Sequence, residues 1–399
     1  MGKMQRLAMV AQAFTPGAPV DDFELFAGRI PQAQDVINAV AQKGQHVGLY
    51  GERGVGKTSL ANVLAGFFQV ADLAIMRPAK INCHTEDTFG SLWRNVFREL
   101  DVDLKESETL SPDDVRYTLA RLDPPGLIVI DELDRLADDD ALTLLADTVK
   151  ALSDHAVRST LVLVGVARSM AELIGEHESI ARAVVKIHMP RMSMDELREI
   201  MERGCEKCQL TATADAVNHI AVLSRGLPHF THLLGLHAGQ RVVADDRSEI
   251  ALDDVASSIP TAVAKHLVET DYLRATHSPH ADNLYPHVLL ACALAPQDQF
   301  GFFTPGAVRG PLEVIARRRL EIPAFARHLN QFLSIERGSV LLREGAPRRY
   351  VYRFRDPILQ TYVILNAIAT ELIDDSQLAK LEIGAPPTPD EPLEPEALF

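Results

Sequence analysis

Residues 51–60, GERGVGKTSL, limit what this chain can fold into more than any other stretch. They follow QHVGLY and precede ANVLAGFF. Gly51, Gly56, Lys57 and Thr58 fit the spacing G-x-x-x-x-G-K-[ST]. The glycines let a loop curl until successive backbone N–H groups face phosphate oxygens. The lysine reaches the β- and γ-phosphates, and the hydroxyl after it binds Mg2+. Such a loop needs a strand to deliver it and a helix opening beyond it, where the helix dipole favours an anion. Residues 46–50 read as that strand and 58–69 as that helix. ATP with Mg2+ is the expected ligand pair, bound by Gly51, Glu52, Arg53, Gly54, Val55, Gly56, Lys57, Thr58 and Ser59.

A second motif completes the site. LIVIDE, residues 127–132, is an apolar strand ending in two carboxylates. Asp131 is expected to hold Mg2+ through water, and Glu132 to polarise an attacking water as general base. Alone, an acidic pair after a strand is a solvated turn. Downstream of a phosphate loop it is the other half of a nucleotide site. A site that only bound a nucleotide would not need Glu132, so the pair predicts hydrolysis.

Further apolar runs at 79–84, 160–165 and 184–190 alternate with helical patterns. That alternation predicts a parallel sheet with right-handed crossovers. The DTFGSLWRNVFREL stretch reads as an amphipathic helix with Asp87 as N-cap. The chain divides into a loose leader (1–24), a P-loop α/β domain (25–190), an all-helical segment (191–282), a C-terminal module (283–375) and an acidic, proline-rich tail (376–399) expected to be disordered.

The C-terminal module reads as three helices, a hairpin and a closing helix, which is the winged-helix order. Pro311 is placed in the first turn of the second helix, and Asp356 with Pro357 starts the last. Residues 321–334 take the recognition position, with Arg327, Asn330 and Gln331 on the polar side for base edges. Arg343, Arg348 and Arg349 on the wing face phosphates. Charge supports this placement. The chain carries −15, yet residues 301–360 hold eleven arginines, no lysine and five acids, leaving +6 there and −21 elsewhere. Duplex DNA would be repelled by the bulk and attracted only by this segment. The same module could instead pack against a partner protein.

No apolar run approaches the roughly 18 residues that span a bilayer. The N-terminus lacks a signal-peptide core, so a cytoplasmic protein without membrane contact is expected. Four cysteines in 399 residues do not make a disulfide scaffold. Cys205 and Cys208 lie on one predicted helix without a second pair, and read as reduced helix cysteines.

GERGVGKTSL together with LIVIDELD resembles the AAA+ P-loop ATPases. The helical segment and winged-helix pattern narrow the resemblance to the clade of origin-recognition initiator and STAND signalling ATPases, over residues 25–375. That likeness implies a P-loop ATPase domain, an all-helical lid and a C-terminal winged helix. It implies that FAGR is the linker whose Arg29 backbone and Ile30 lie near the adenine. Arg168, in LVLVGVARS, would read the γ-phosphate. Gly226 and Pro228, in RGLPHF, would form the G-x-P turn whose proline packs on the base. Arg182 lies where a finger completes a neighbour's site, although STAND proteins usually lack one. The place of a lid arginine falls near His229, a departure from many relatives. The implied function is an ATPase whose nucleotide state controls engagement of DNA or a partner. No effector segment is visible, so output would come from self-association or a partner effector, as in a bacterial defence or mobile-element system. The alternative is a nucleotide-gated, barely catalytic scaffold that assembles a signalling complex.

Overall fold

The computed structural model describes residues 2–70, 76–103, 109–174, 180, 182–264, 266–279, 283–298, 300–347, 349–374 and 377. Apart from Gln377, the tail expected at 376–399 lies outside the described residues. The chain forms two compact units, Ala18–Pro190 and Met1–Gly17 with Arg191–Phe399.

The first unit is a parallel α/β sandwich. Helix α2 (Ile30–Val40) leads into β1 (His46–Gly51), then α3 (Lys57–Val70), β2 (Arg77–Asn82), α4 (Phe89–Glu99) and α5 (Pro112–Leu119). There follow β3 (Gly126–Asp131), α6 (Asp139–Asp154), β4 (Thr160–Val166), α7 (Met170–Ile174) and β5 (Val184–His188). The strands run parallel in the order β2-β3-β4-β1-β5. All six residues of β3 are buried, as suits a Val/Ile/Leu run covered on both faces. β4 separates β3 from β1, so the carboxyl ends of all three strands share one edge. In open α/β sheets that edge is where ligands bind. Trp93, Val96 and Phe97 turn one face of α4 into the core that also holds Ile128 and Leu161. Thr88, not Asp87, caps α4, because its hydroxyl accepts the Ser91 N–H. The Asp87 carboxylate instead accepts from His84 N–H and the Ser91 hydroxyl.

The second unit corrects the expectation of a loose leader. Residues 3–13 form helix α1 (Lys3–Ala13). Val10 on its apolar side and Phe14 just past its end are fully buried. The reason lies in glycines far along the chain. A Cβ at Gly204 or Gly235 would stand 2.4 or 2.7 Å from the Phe14 ring, so only bare helix faces admit it. Those glycines belong to α8 (Met194–Lys207) and α10 (Pro228–Ala244), with β6 (Thr211–Ala212) and α9 (Ala214–Ser224) between them. The segment after α1 is fixed by two histidines. The Thr15 N–H donates to His232 Nδ1 at 3.3 Å, and His229 Nδ1 lies 2.8 Å from the Pro16 carbonyl. Burial lowers the pKa of both, His232 to about 4, which keeps His232 neutral and able to accept. Cys205 and Cys208 are buried thiols, raised by burial to about 12 and about 11.

The unit continues with β7 (Glu249–Ile250), which pairs with β6, then α11 (Leu252–Val263) and α12 (Glu269–Thr276). Next come α13 (Tyr285–Leu294), α14 (Pro305–Ala316) and α15 (Ile322–Gln331). The antiparallel hairpin of β8 (Leu341–Glu344) and β9 (Val351–Phe354) precedes α16 (Pro357–Ala369). Phe303 adds a short antiparallel bridge to Tyr352. Pro305, capped by Thr304, opens α14; Pro311 sits inside that helix rather than in its first turn. Asp356 caps α16 by accepting the Ile358 N–H. Among the described residues no helix is long and apolar enough to cross a membrane.

Candidate active site

β1 ends at Gly51, and the chain turns back into α3 at Lys57. The turn depends on glycine. A Cβ on Gly51 would stand 2.3 Å from the Met189 carbonyl oxygen, and Gly56 has φ +96°. Lys57 is only 7% exposed. Its Nζ donates to the carbonyls of Gly51 at 3.0 Å and Glu52 at 2.7 Å. Burial pulls its pKa down to about 8, against the opposing pull of Asp134, Asp131 and Glu52. The loop is braced from beneath by a side chain. Arg29 is 1% exposed, and its Nη2 donates to the carbonyls of Val55 at 2.8 Å and Pro190 at 2.5 Å. Val55 is buried, while Ser59 turns its hydroxyl to the Val20 N–H at 3.1 Å.

The carboxylates arrive from β3. Asp131 is buried, with Oδ1 accepting the Glu132 N–H at 2.8 Å and Oδ2 3.2 Å from Lys80 Nζ. Glu132 takes a left-handed conformation, φ +55°, uncommon for a residue with a Cβ and frequent at functional sites. Its half-exposed carboxylate pairs with Arg135 at 2.9 Å. Asp134 ties this turn to the next strand, its Oδ1 accepting the Val166 N–H at 2.7 Å. The result is a buried ammonium, a buried carboxylate and a solvent-facing carboxylate at one sheet edge. Thr58, next to Lys57 on the first turn of α3, adds a hydroxyl to the set.

Residues 41–174 match the family described as AAA domain. Over that segment the chain is similar to an AAA domain. It matches none of the curated proteins. Among solved structures it is similar to the ORC2 protein of Aeropyrum pernix, described in ADPNP–ADP complexes, at 15% identity over 88% of this chain and 98% of that one, TM-score 0.51. It is also similar to the ORC1 protein of the same organism in complex with DNA, at 17% identity over 92% and 97%, TM-score 0.48. RuvB of Thermotoga maritima, the Holliday junction branch migration motor, matches at 16% identity over 84% and 94%, TM-score 0.45. The likeness to ORC2 is one of fold.

The first unit gathers residues 51–59, Asp131 and Glu132, and adds residues that sequence reasoning missed. Arg29 contributes a buried side chain rather than only backbone, while Ile30 is 57% exposed. Lys80, Asn62 and Asp134 carried no motif; a lone lysine on a strand and a third acid in DELD were the only signals. Arg168 is exposed just beyond β4, and its N–H donates to Glu172 Oε2 at 2.7 Å. Arg182 is exposed two residues before β5, its carbonyl held by Gln45 Nε2 at 3.1 Å.

The remaining expected residues belong to the second unit. Gly226 has φ +79°, and a Cβ there would stand 2.6 Å from Arg191 Cβ. Its carbonyl accepts the Met192 N–H at 2.9 Å, and Pro228 opens α10. His229, near the expected place of a lid arginine, faces His266, Nε2 to Nε2 at 2.8 Å. On α15, Arg327 and Asn330 are exposed. Gln331 is half-buried and bonded to the Tyr285 hydroxyl. Arg343 donates to Asn330 Oδ1 at 3.1 Å and lies 4.2 Å from the centre of the Tyr350 ring. Arg349 is exposed, and Arg348 lies outside the described residues.

Proposed function

We propose that this protein binds and hydrolyses ATP with Mg2+ at the edge of its AAA domain, and that the nucleotide state governs how residues 283–375 engage duplex DNA. One observation carries the reading: Lys57 is buried beside Asp131, with Glu132 facing solvent next to it. The ammonium meets phosphate, the α3 N-terminus adds backbone N–H groups, and Glu132 takes the proton from water. The donor set fits Mg2+, which would be held by Thr58 and Asp131 and would neutralise charge on the phosphate oxygens. The ORC2 structure described in ADPNP–ADP complexes supports nucleotide as ligand.

Lys57 gives the binding step a pH signature. A phosphate beside it restores its ordinary affinity for a proton, so binding takes up a proton above about pH 8. Affinity for a labelled ATP analogue should hold below about 8 and fall as pH rises toward 10.5. Titrations on either side of that window, with Lys57→Ala as blank, check this.

Within 283–375 the winged-helix reading rests on helix order, the hairpin and exposed charge. Arg309, Arg317 and Arg319 pair with acids, and Arg337 donates to the Ala275 and His277 carbonyls. Arg318, Arg327, Arg343, Arg349 and Arg355 are exposed. Each arginine on a phosphate releases condensed counterions, with a salt slope of about −0.9 per contact. Replacing Arg343, Arg348 and Arg349 together with Ala should flatten the slope of DNA affinity by roughly 2 to 3 units. Base preference should follow Arg327 and Asn330. Absence of duplex binding by the full chain at low salt, with and without nucleotide, would move the proposal to the signalling-scaffold reading, with the same module docking on protein.

A further inference from the structure

We propose that Lys80 is a resident cation on Asp131, one that Mg2+ must displace, and that it sets how strongly nucleotide binding depends on the metal. The proposal rests on the nucleotide-site reading above. β2 lies beside β3 in the sheet, with Lys80 opposite Val129 and Asn82 opposite Asp131. From there the Lys80 ammonium stands 3.2 Å from Asp131 Oδ2 and donates to Asn62 Oδ1 at 2.5 Å. Asn62 is one turn beyond Thr58 on α3, and residues four apart share a helix face. The ammonium is thus held between the strand that carries the carboxylate and the helix that carries the metal-binding hydroxyl.

Both oxygens of Asp131 are engaged, one by the Glu132 N–H and one by Lys80. The carboxylate side chain is 4% exposed, and a carboxylate that far from water is costly without a counter-ion. Lys80 supplies that counter-ion when no metal does. Its own side chain is 31% exposed, so the long stem has a route outward when a divalent ion arrives. An ion pair between two exposed side chains adds little. This one is directed at the carboxylate that the mechanism assigns to Mg2+. Charge therefore competes at one oxygen: the metal gains Asp131 only by removing an ammonium from it.

Two titrations test this. In the first, Mn2+ is added to nucleotide-free protein and free Mn2+ is followed by electron paramagnetic resonance. Lys80→Met keeps the stem and removes the charge, and should bind Mn2+ about tenfold tighter than wild type, the scale of one partly buried ion pair. Lys80→Arg should stay near wild type, which also reports on folding. Asp131→Asn added to Lys80→Met should erase the gain. In the second, a fluorescent ADP analogue is titrated at graded Mg2+. Lys80→Met should reach half-saturation at about tenfold lower Mg2+, with metal-free nucleotide affinity unchanged. Identical Mn2+ curves for wild type and Lys80→Met overturn the proposal. So does a loss of metal-free nucleotide affinity in Lys80→Met, which would make Lys80 a phosphate ligand. Wild-type protein that binds no nucleotide sinks the nucleotide-site reading, while the Mn2+ titration still decides for Lys80.

Discussion

Glu132→Gln is expected to bind ATP as wild type does and to release phosphate about 10²- to 10⁴-fold more slowly. The amide keeps the size of the side chain but cannot take the proton of an attacking water. Lys57→Ala should fail earlier, at binding. Removing a buried ammonium from a phosphate weakens ATP by about 100-fold or more, the range of a charge-assisted hydrogen bond in a closed site. The two variants thus separate binding from chemistry. Glu132 is suited to the role because its left-handed turn presents the carboxylate beyond the strand end, where Arg135 steadies it. Wild-type phosphate release by Glu132→Gln protein would remove it from the reaction and turn attention to Asp134, the other carboxylate of that turn.

Arg182→Ala is the second large effect. If Arg182 acts in trans on a neighbouring copy, turnover should fall by roughly 10³ with little change in ATP affinity. Its placement permits this. The side chain is exposed, and the backbone is held in position by Gln45 just before β5. Mixing Arg182→Ala with Lys57→Ala protein should restore part of the activity. The second variant still presents a finger, and the first still has an intact phosphate loop. Steady-state hydrolysis measured across protein concentration checks both statements. Normal hydrolysis by Arg182→Ala at every concentration would mean that the site is complete within one chain.

Much of the fold, and the placement of the candidate site residues at one sheet edge, was legible because it depends on neighbours in sequence. GERGVGKTSL needs a strand before it and a helix after it, and both are local. LIVID is apolar enough to be buried on both faces, so its end had to reach the sheet edge. What sequence reasoning mislaid shows the other side. Asp87 and Thr88 are both good capping residues, and only the local backbone chose Thr88. Residues 1–24 looked like a leader because α1 is short and leaves much of its surface exposed. Its partners, Gly204 and Gly235, lie about two hundred residues away and have no side chain to advertise a contact.

Residue type and spacing within one strand–turn–helix unit were enough to place the 51–59 loop between β1 and α3, the Asp131–Glu132 pair at the end of β3, and the fold in the parallel α/β class. What surrounds them depends on contacts formed only in the folded chain. Strand order put β2 next to β3 and so brought Lys80 to Asp131. The packing of α2 under the loop sent the Arg29 guanidinium to the Val55 and Pro190 carbonyls. These contacts join residues about 26 to 161 positions apart. No periodicity or motif records such a pairing, because charge and hydrogen bonding act through space and the register that sets the distance exists only once the sheet has formed.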